Sequence, residues 1–337
     1  MLSRVADSIY WLARYIERAD NLARLVEVNL QLLLDFQDLD NVKLKEHWDP
    51  VIRSTGDEEQ FYELYDEANS QTVTEFLTFN TDNPSSVISC IAGARENARM
   101  VRDQISSELW ETINNLHLFL KSNDAKQVWE SGAYEFYDRI KDQSLRFQGL
   151  SAATLPRDEC YDFMQFGRFI ERADKATRML DIKYHILLPS LQDVGGAVDT
   201  AQWVALLRAA SAYDAYHAQY LANIDPANVA EFLIFSNTFP RSIRYCMHQL
   251  NSRLHNISGC PIGNYSNEAE KLAGKLLSDL TFSSVQDVIN YGMHEWLDGC
   301  QERLNEIGAA TYQTYMFQKP IDLAEEIQQQ QQQQQQQ

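Results

Sequence analysis

Glycine and proline are scarce, at 13 and 8 in 337 residues, both below the usual roughly 7% and 5%. So few breakers, with abundant Leu, Ala, Glu, Gln and Arg, favour helix and leave no convincing period-two strand. Cysteine is rare too. Cys90, Cys160, Cys246, Cys260 and Cys300 are odd in number and widely spaced, with no CxxC. That pattern excludes a disulfide framework and reads as reduced thiols in a cytosol. No apolar run approaches the roughly 18–20 residues of a membrane span. The first residues, MLSRVADSIYWLARYIERAD, carry charge throughout and lack the apolar centre of a signal peptide. A soluble, cytoplasmic protein is expected.

Positive charge is outnumbered. Lys and Arg total 29 against 48 Asp and Glu, a net charge of −19. This excludes a nucleic-acid backbone or an anionic membrane surface as the main partner, since both need clustered cations. GxxxxGK[ST], GxGxxG and GxSxG are absent, which leaves a P-loop, a Rossmann site and a serine hydrolase elbow without support. The seven histidines are scattered. Cys246 and His248 are near neighbours, but no set has zinc spacing and no HExxH occurs. Glu-x-x-His pairs, which a di-metal bundle site requires, are missing as well. No metal and no cofactor is expected.

What is present is a repeat. RYIERAD opens at Arg14 and RFIERAD at Arg168. Across Arg14–Arg24 and Arg168–Arg178, seven of eleven positions are identical, at an offset of 154. VTEFLTFNTDNPSSVISC (Val73 to Cys90) aligns with VAEFLIFSNTFPRSIRYC (Val229 to Cys246) at eight of eighteen positions. Trp48/Trp203, Arg53/Arg208 and Tyr65/Tyr220 fall between these anchors. The expected fold is all-α: a helical bundle over 1–317 built from two homologous halves, about 1–150 and 155–317, by internal duplication. Each half should run from a long first helix to a Trp-Arg helix, then a Glu-Phe-Leu helix, then a helix beginning at proline. Asn83-Pro84 supplies an N-cap with Pro at N1, and Phe239-Pro240 places the matching start. Residues 318–337 form a tail ending in ten glutamines, a low-complexity tract expected to be disordered.

In the first helix Val5, Ile9, Leu12, Ile16, Ala19, Ala23, Val26, Leu30 and Leu33 step by four and three, a seam about four heptads long. Trp11, Tyr15, Leu22, Leu25 and Leu32 give a second apolar face. A helix apolar on more than one side belongs at the centre of a bundle.

Beside the seam, Tyr10, Arg14, Glu17, Asn21 and Arg24 form a polar stripe, with Arg18 at its edge. Arg168, Glu171, Lys175 and Arg178 repeat it, with Arg172 beside. Two readings stand. Arg14 and Glu17 are i,i+3, a pair that steadies a helix by roughly 0.2–0.5 kcal/mol, and a partly buried network can fix the register of two halves. Alternatively, guanidinium forks beside a carboxylate make a site for a carboxylate or phosphate ligand, with Glu17 available as a proton acceptor. A second cluster, Arg95, Glu96, Arg99 and Arg102 with Asp103, lies on the helix after Pro84. Three arginines share its face, and the second half does not keep them. It is either part of a ligand site or a solvated face.

MLSRVADSIYWLARYIERADNLARL, NPSSVISCIAGARENARMVRDQISSELWETIN, FMQFGRFIERADKATRMLD and VAEFLIFSNTFPRSIRYC together resemble the bacterial alpha-E domain family. This is an all-helical family named for its Glu-Arg motif. The resemblance covers roughly residues 1–317 and puts the motif on Glu17-Arg18 and Glu171-Arg172. It implies two partners, a circularly permuted ATP-grasp protein and a transglutaminase-like protein, in an amidoligase system that makes or attaches a small peptide. The implied role is an accessory component holding an amino acid, peptide or phosphorylated intermediate. The alternatives are an enzyme of peptide or aminoacyl transfer with Glu17 as general base, and a pure scaffold. Gln165 stands where the first copy has Trp11, which weakens a two-site symmetric model. Because only the first half keeps the Arg95 face, Glu17-Arg18 is the copy where function is expected first.

Overall fold

The computed structural model describes residues 1–35, 48–185, 196–221 and 223–317; the glutamine tract lies outside the described residues. Among the described residues sixteen α-helices follow one another. They are α1 (Ser3–Asp35), α2 (Trp48–Thr55), α3 (Glu58–Leu64), α4 (Ser70–Thr74), α5 (Val87–Met100), α6 (Ser107–Leu120), α7 (Asn123–Ser131) and α8 (Ala133–Thr154). Then come α9 (Glu159–His185), α10 (Ala197–Ala209), α11 (Tyr213–Tyr220), α12 (Pro226–Phe235), α13 (Ile243–Ser258), α14 (Glu268–Phe282), α15 (Val285–Tyr291) and α16 (Met293–Thr311). A π-helical turn, Glu75–Phe79, continues α4, and another, Tyr312–Met316, continues α16. The β-structure among the described residues is one isolated bridge between Ile262 and Asn264. The protein is all-α, and no helix of the described residues is long and apolar enough to cross a membrane. All five cysteines are free thiols.

The seam of α1 does what its period demands. Ile9, Leu12, Ile16, Ala19, Ala23 and Val26 are buried, and α5, α8, α9 and α10 pack around the helix. α9 lies against α1 and is in turn covered by α2, α13 and α16. Small residues set how closely α1 and α9 approach: Ala19, Ala23 and Ala173 are fully buried. The tightest point is Gly167, where an added Cβ would stand 2.4 Å from the Tyr10 carbonyl oxygen. No side chain larger than hydrogen fits there.

The proline starts are corrected. Asn83 does not cap a helix with Pro84 at N1. Its Oδ1 accepts from the Ser85 amide at 2.8 Å and its Nδ2 donates to the Phe76 carbonyl at 3.1 Å, so Pro84 and Ser85 form a turn. Ser86 is the cap of α5, accepting from the Ser89 amide, and Ser242 caps α13 from Tyr245 in the same way. The hydroxyl one turn later wins because the Asn83 side chain is already committed to the preceding turn.

Candidate functional site

The polar stripe of α1 faces that of α9, and the two carboxylates of the repeated motif cross over. Glu171 is not held by its own neighbour Arg172. It accepts from Arg18 Nε at 2.6 Å and Arg14 Nε at 2.7 Å. Glu17 accepts from Arg172 Nε at 2.6 Å and Arg172 Nη2 at 2.8 Å, a two-pronged grip. The expected i,i+3 pair of Arg14 with Glu17 is replaced by this exchange between helices. Arg14 and Arg18 are one turn apart on α1, which places both guanidinium groups over one carboxylate of α9.

One turn further along, each helix repeats a local pair. Arg24 grips Asp20 through Nε and Nη2, both at 3.0 Å, and Arg178 reaches Asp174 at 2.9 Å. Lys175 stands 3.7 Å from Asp174. Eight cationic side chains thus meet four carboxylates within ion-pair distance: Arg14, Arg18, Arg24, Arg168, Arg172, Lys175, Arg178 and Arg241 around Glu17, Asp20, Glu171 and Asp174. In a chain of net charge −19 this is a local reversal of sign.

The two ends of the lock differ. Around Glu171, Arg14 also donates to the Tyr10 hydroxyl at 2.8 Å and lies over the Trp11 ring at 4.7 Å. Around Glu17, the counterpart of Trp11 is the buried Gln165. Arg168 turns aside to Gln148 at 2.8 Å and stays 3.9 Å from Glu17. Its place is taken by Gln148 Nε2, at 2.9 Å from Glu17, and by Arg241, which reaches Glu17, Asn21 and Asp20 at 3.2, 3.1 and 2.7 Å. Sequence reasoning missed Gln148 and Arg241. The signal for Arg241 was present, since it stands where the first copy has Ser85.

The electrostatics follow from this packing. Glu17 and Glu171 are 1% and 0% exposed. Burial opposes their charge, but Arg172 and Arg241 outweigh it for Glu17, as Arg18 and Arg14 do for Glu171. Both pKa values are held below the ordinary 4.5. Asp20 is likewise held below 3.8 against burial, by Arg241 and Arg24. Arg168 has the opposite fate: burial, then the charge of Arg172, push it down to about 10. Burial also lowers Lys175 and pushes the Cys90 and Cys246 thiols up to about 12.

The Arg95 cluster turns away from this centre. Arg95 donates to Asn114 at 2.9 Å and to Glu96 at 2.8 Å, Arg99 pairs with Glu96, and Arg102 lies over the Trp110 ring at 5.5 Å. Arg99 is 62% exposed. Among the described residues, none of these contacts reaches Glu17 or Arg18. The structure therefore brings together Arg14, Arg18, Glu171, Glu17, Arg172 and Arg168, and leaves Arg95, Glu96, Arg99 and Arg102 as a separate, more exposed group.

A cleft of about 250 Å³ opens beside the lock. Tyr10, Trp11 and Arg14 of α1, Ile170 and Asp174 of α9, and Asn305, Gly308 and Tyr312 at the end of α16 line it. Asp174 Oδ1 is buried and has no hydrogen-bond partner.

Residues 1–316 match a family described as a predicted alpha-helical domain with a conserved ER motif. The chain belongs to the Alpha-E family. The curated relatives of this Alpha-E chain include uncharacterised proteins of Mycobacterium bovis and Mycobacterium tuberculosis, each 24% identical over 327 residues. The match takes in 92% of this chain and 35% of each relative, so the chain spans about a third of the length of those relatives. No solved structure matches the Alpha-E chain.

Proposed function

We propose that this Alpha-E chain is a non-catalytic binding component that seats an amino acid or short peptide beside the Glu-Arg lock. The observation that carries this reading is the cleft with Arg14 and Asp174 on its walls. Arg14 offers a cation for a carboxylate, and the Asp174 carboxylate on the cleft wall, whose buried Oδ1 no donor meets, is the matching anion for an ammonium group. A zwitterion needs both. The excess of cations in the network favours a ligand that brings negative charge. The lock itself then serves as a rigid back wall.

Transfer chemistry with Glu17 as general base is the weaker reading. A base needs a free lone pair near its proton donor and a pKa near the working pH. Both Glu17 oxygens accept from Arg172 and Gln148, and its pKa is held down. Nucleotide chemistry would come from a partner. The resemblance points to a circularly permuted ATP-grasp protein, with a transglutaminase-like protein acting on the same peptide, in the cytoplasm.

The same reading takes the chain as a duplication. Supporting it, α1–α8 and α9–α16 give each half eight helices in order, each half opening on its longest helix. An aromatic trio also recurs: Phe61 stacks on Tyr65 and meets Phe76 edge-on, as Tyr216 stacks on Tyr220 and meets Phe232.

Calorimetric titration of the chain with amino acids and dipeptides tests the proposal. Gly308→Ala should preserve binding, because its Cβ meets Ile170 and Tyr10 at an ordinary 3.5 Å. Gly308→Leu should fill the cleft and abolish it. Binding unchanged in Gly308→Leu, or none in the wild type, sinks the reading. Amino-acid-dependent ATP turnover by a circularly permuted ATP-grasp protein from the same source, with and without this chain, tests the partnership.

A further inference from the structure

We propose that His255, Cys260 and Glu270 form a zinc site at the junction of α13 and α14, independent of the Glu-Arg lock. Their ligand atoms lie within 4.8 Å of one another. In a tetrahedral site with Zn–N near 2.0–2.1 Å and Zn–S near 2.3 Å, neighbouring ligand atoms stand roughly 3.3–3.6 Å apart. Metal binding would draw the three atoms together by up to about 1.5 Å, with Cys260 carried on an exposed loop. One nitrogen, one sulfur and one carboxylate oxygen make the donor set that borderline Zn²⁺ accepts, with a fourth position left for water or a small ligand.

Two observations beyond proximity point to a cation. The first is the orientation of His255. Its Nδ1 lies 2.9 Å from the carbonyl oxygen of Cys260. A carbonyl can only accept, so Nδ1 donates to it and Nε2 is the ring nitrogen left for a metal. This is the outer-shell contact that fixes a metal-binding imidazole. The second is Glu270, a carboxylate 1% exposed. It accepts from the Ser266 amide at 2.6 Å and from Asn267 Nδ2 at 2.9 Å. Among the described residues no lysine or arginine pairs with it. Ser266 and Asn267 thus fix the carboxylate in place, with His255 and Cys260 as its other close neighbours. The backbone makes the loop possible: Gly259 ends α13 in the left-handed region, φ 73°. The chain then folds Cys260 back over His255 while Asn267 caps α14 and brings Glu270 up from below.

On binding, Zn²⁺ displaces the thiol proton, which leaves to solvent, and a Zn–S bond forms. No oxidant or further reactant is needed. The sequence hid this set because the spacing, His-x4-Cys-x9-Glu, follows no zinc pattern and closes only through the loop.

The test uses the full chain stripped of metal by a chelator and titrated with Co²⁺, then Zn²⁺. One Co²⁺ per chain should bind with a thiolate-to-metal charge-transfer band, and Zn²⁺ should bleach it and raise the melting temperature. Cys260→Ser, in the exposed loop, should keep the fold and lose the band. It should weaken Zn²⁺ binding by at least about 100-fold, the upper end of what even an outer-shell change costs. His255→Gln should lose the metal without losing helicity. The proposal is overturned if no charge-transfer band appears, or if Cys260→Ser binds Zn²⁺ as tightly as the wild type. Binding at the Asp181, His294 and Asp298 group of α9 and α16 would give the second of these outcomes.

Discussion

A methyl group added at position 167 should drive the two motif helices apart. In Gly167→Ala the new Cβ would stand 2.4 Å from the Tyr10 carbonyl oxygen and 3.2 Å from its carbonyl carbon, where real Cβ contacts stay above 3.0 Å. One helix must therefore withdraw by at least about 0.6 Å, and a gap of that size already forfeits about a quarter of the dispersion along the contact. It also stretches the 2.6 Å bonds that join Arg18 to Glu171 and Arg172 to Glu17. Overpacking alone costs about 1–3 kcal/mol. Replacing a helical glycine returns about 1 kcal/mol of helix propensity. The loosened buried charges add to the loss, so a net destabilisation of about 2–4 kcal/mol is expected. At about 2–4 °C per kcal/mol for a large domain, the Tm should fall by roughly 4–16 °C. Gly149→Ala on α8 is the control. Nothing lies within 4 Å of its added Cβ, and it should gain about 0.5–1 kcal/mol. Urea unfolding followed by circular dichroism measures both. If Gly167→Ala is as stable as Gly149→Ala, the close approach does not set the helix crossing and the reasoning fails.

Glu171→Gln leaves Arg14 and Arg18 without their shared carboxylate and should cost about 3–5 kcal/mol in urea unfolding. Arg18→Met added to it should recover part of that loss, and a strictly additive double mutant would contradict the coupling. Acid should unmake the lock in a defined direction. The folded pKa values of Glu17, Glu171 and Asp20 lie below their ordinary 4.5, 4.5 and 3.8, so their contribution is complete above those values. It is lost as the pH falls through the folded ones. Stability measured between pH 3 and 5, two values set about the ordinary carboxylate range, should therefore fall less steeply in Glu17→Gln than in the wild type. Equal slopes would remove Glu17 from the linkage.

Much of the fold is visible in the pattern of residues. The four-and-three seam of α1 marks a helix buried on several sides, because periodicity reports burial directly. The start of α5 is less visible. Asn83-Pro84 and Ser86 both have capping chemistry, and the choice rests on the carbonyl of Phe76, seven residues away. The site was half legible. The stripes named Arg14, Glu17, Arg18 and their copies, but i,i+3 spacing pointed to pairing within a helix. The exchange between Glu17 and Arg172 depends on how closely two helices pack 155 positions apart, and periodicity carries no such information. Arg95, Arg99 and Arg102 were legible as one face, but not as a face turned towards Glu96, Asn114 and Trp110.

The crossover of carboxylates has a consequence for how this chain can be divided. A gene cut between α8 and α9 would give an N-terminal piece with Arg14 and Arg18 but no Glu171, and with Glu17 but no Arg172. The C-terminal piece would carry the converse debt of charge. Each fragment would be the other's missing counter-ion, so co-expressed pieces should find one another. Either piece alone could satisfy its motif only by pairing with a second copy of itself.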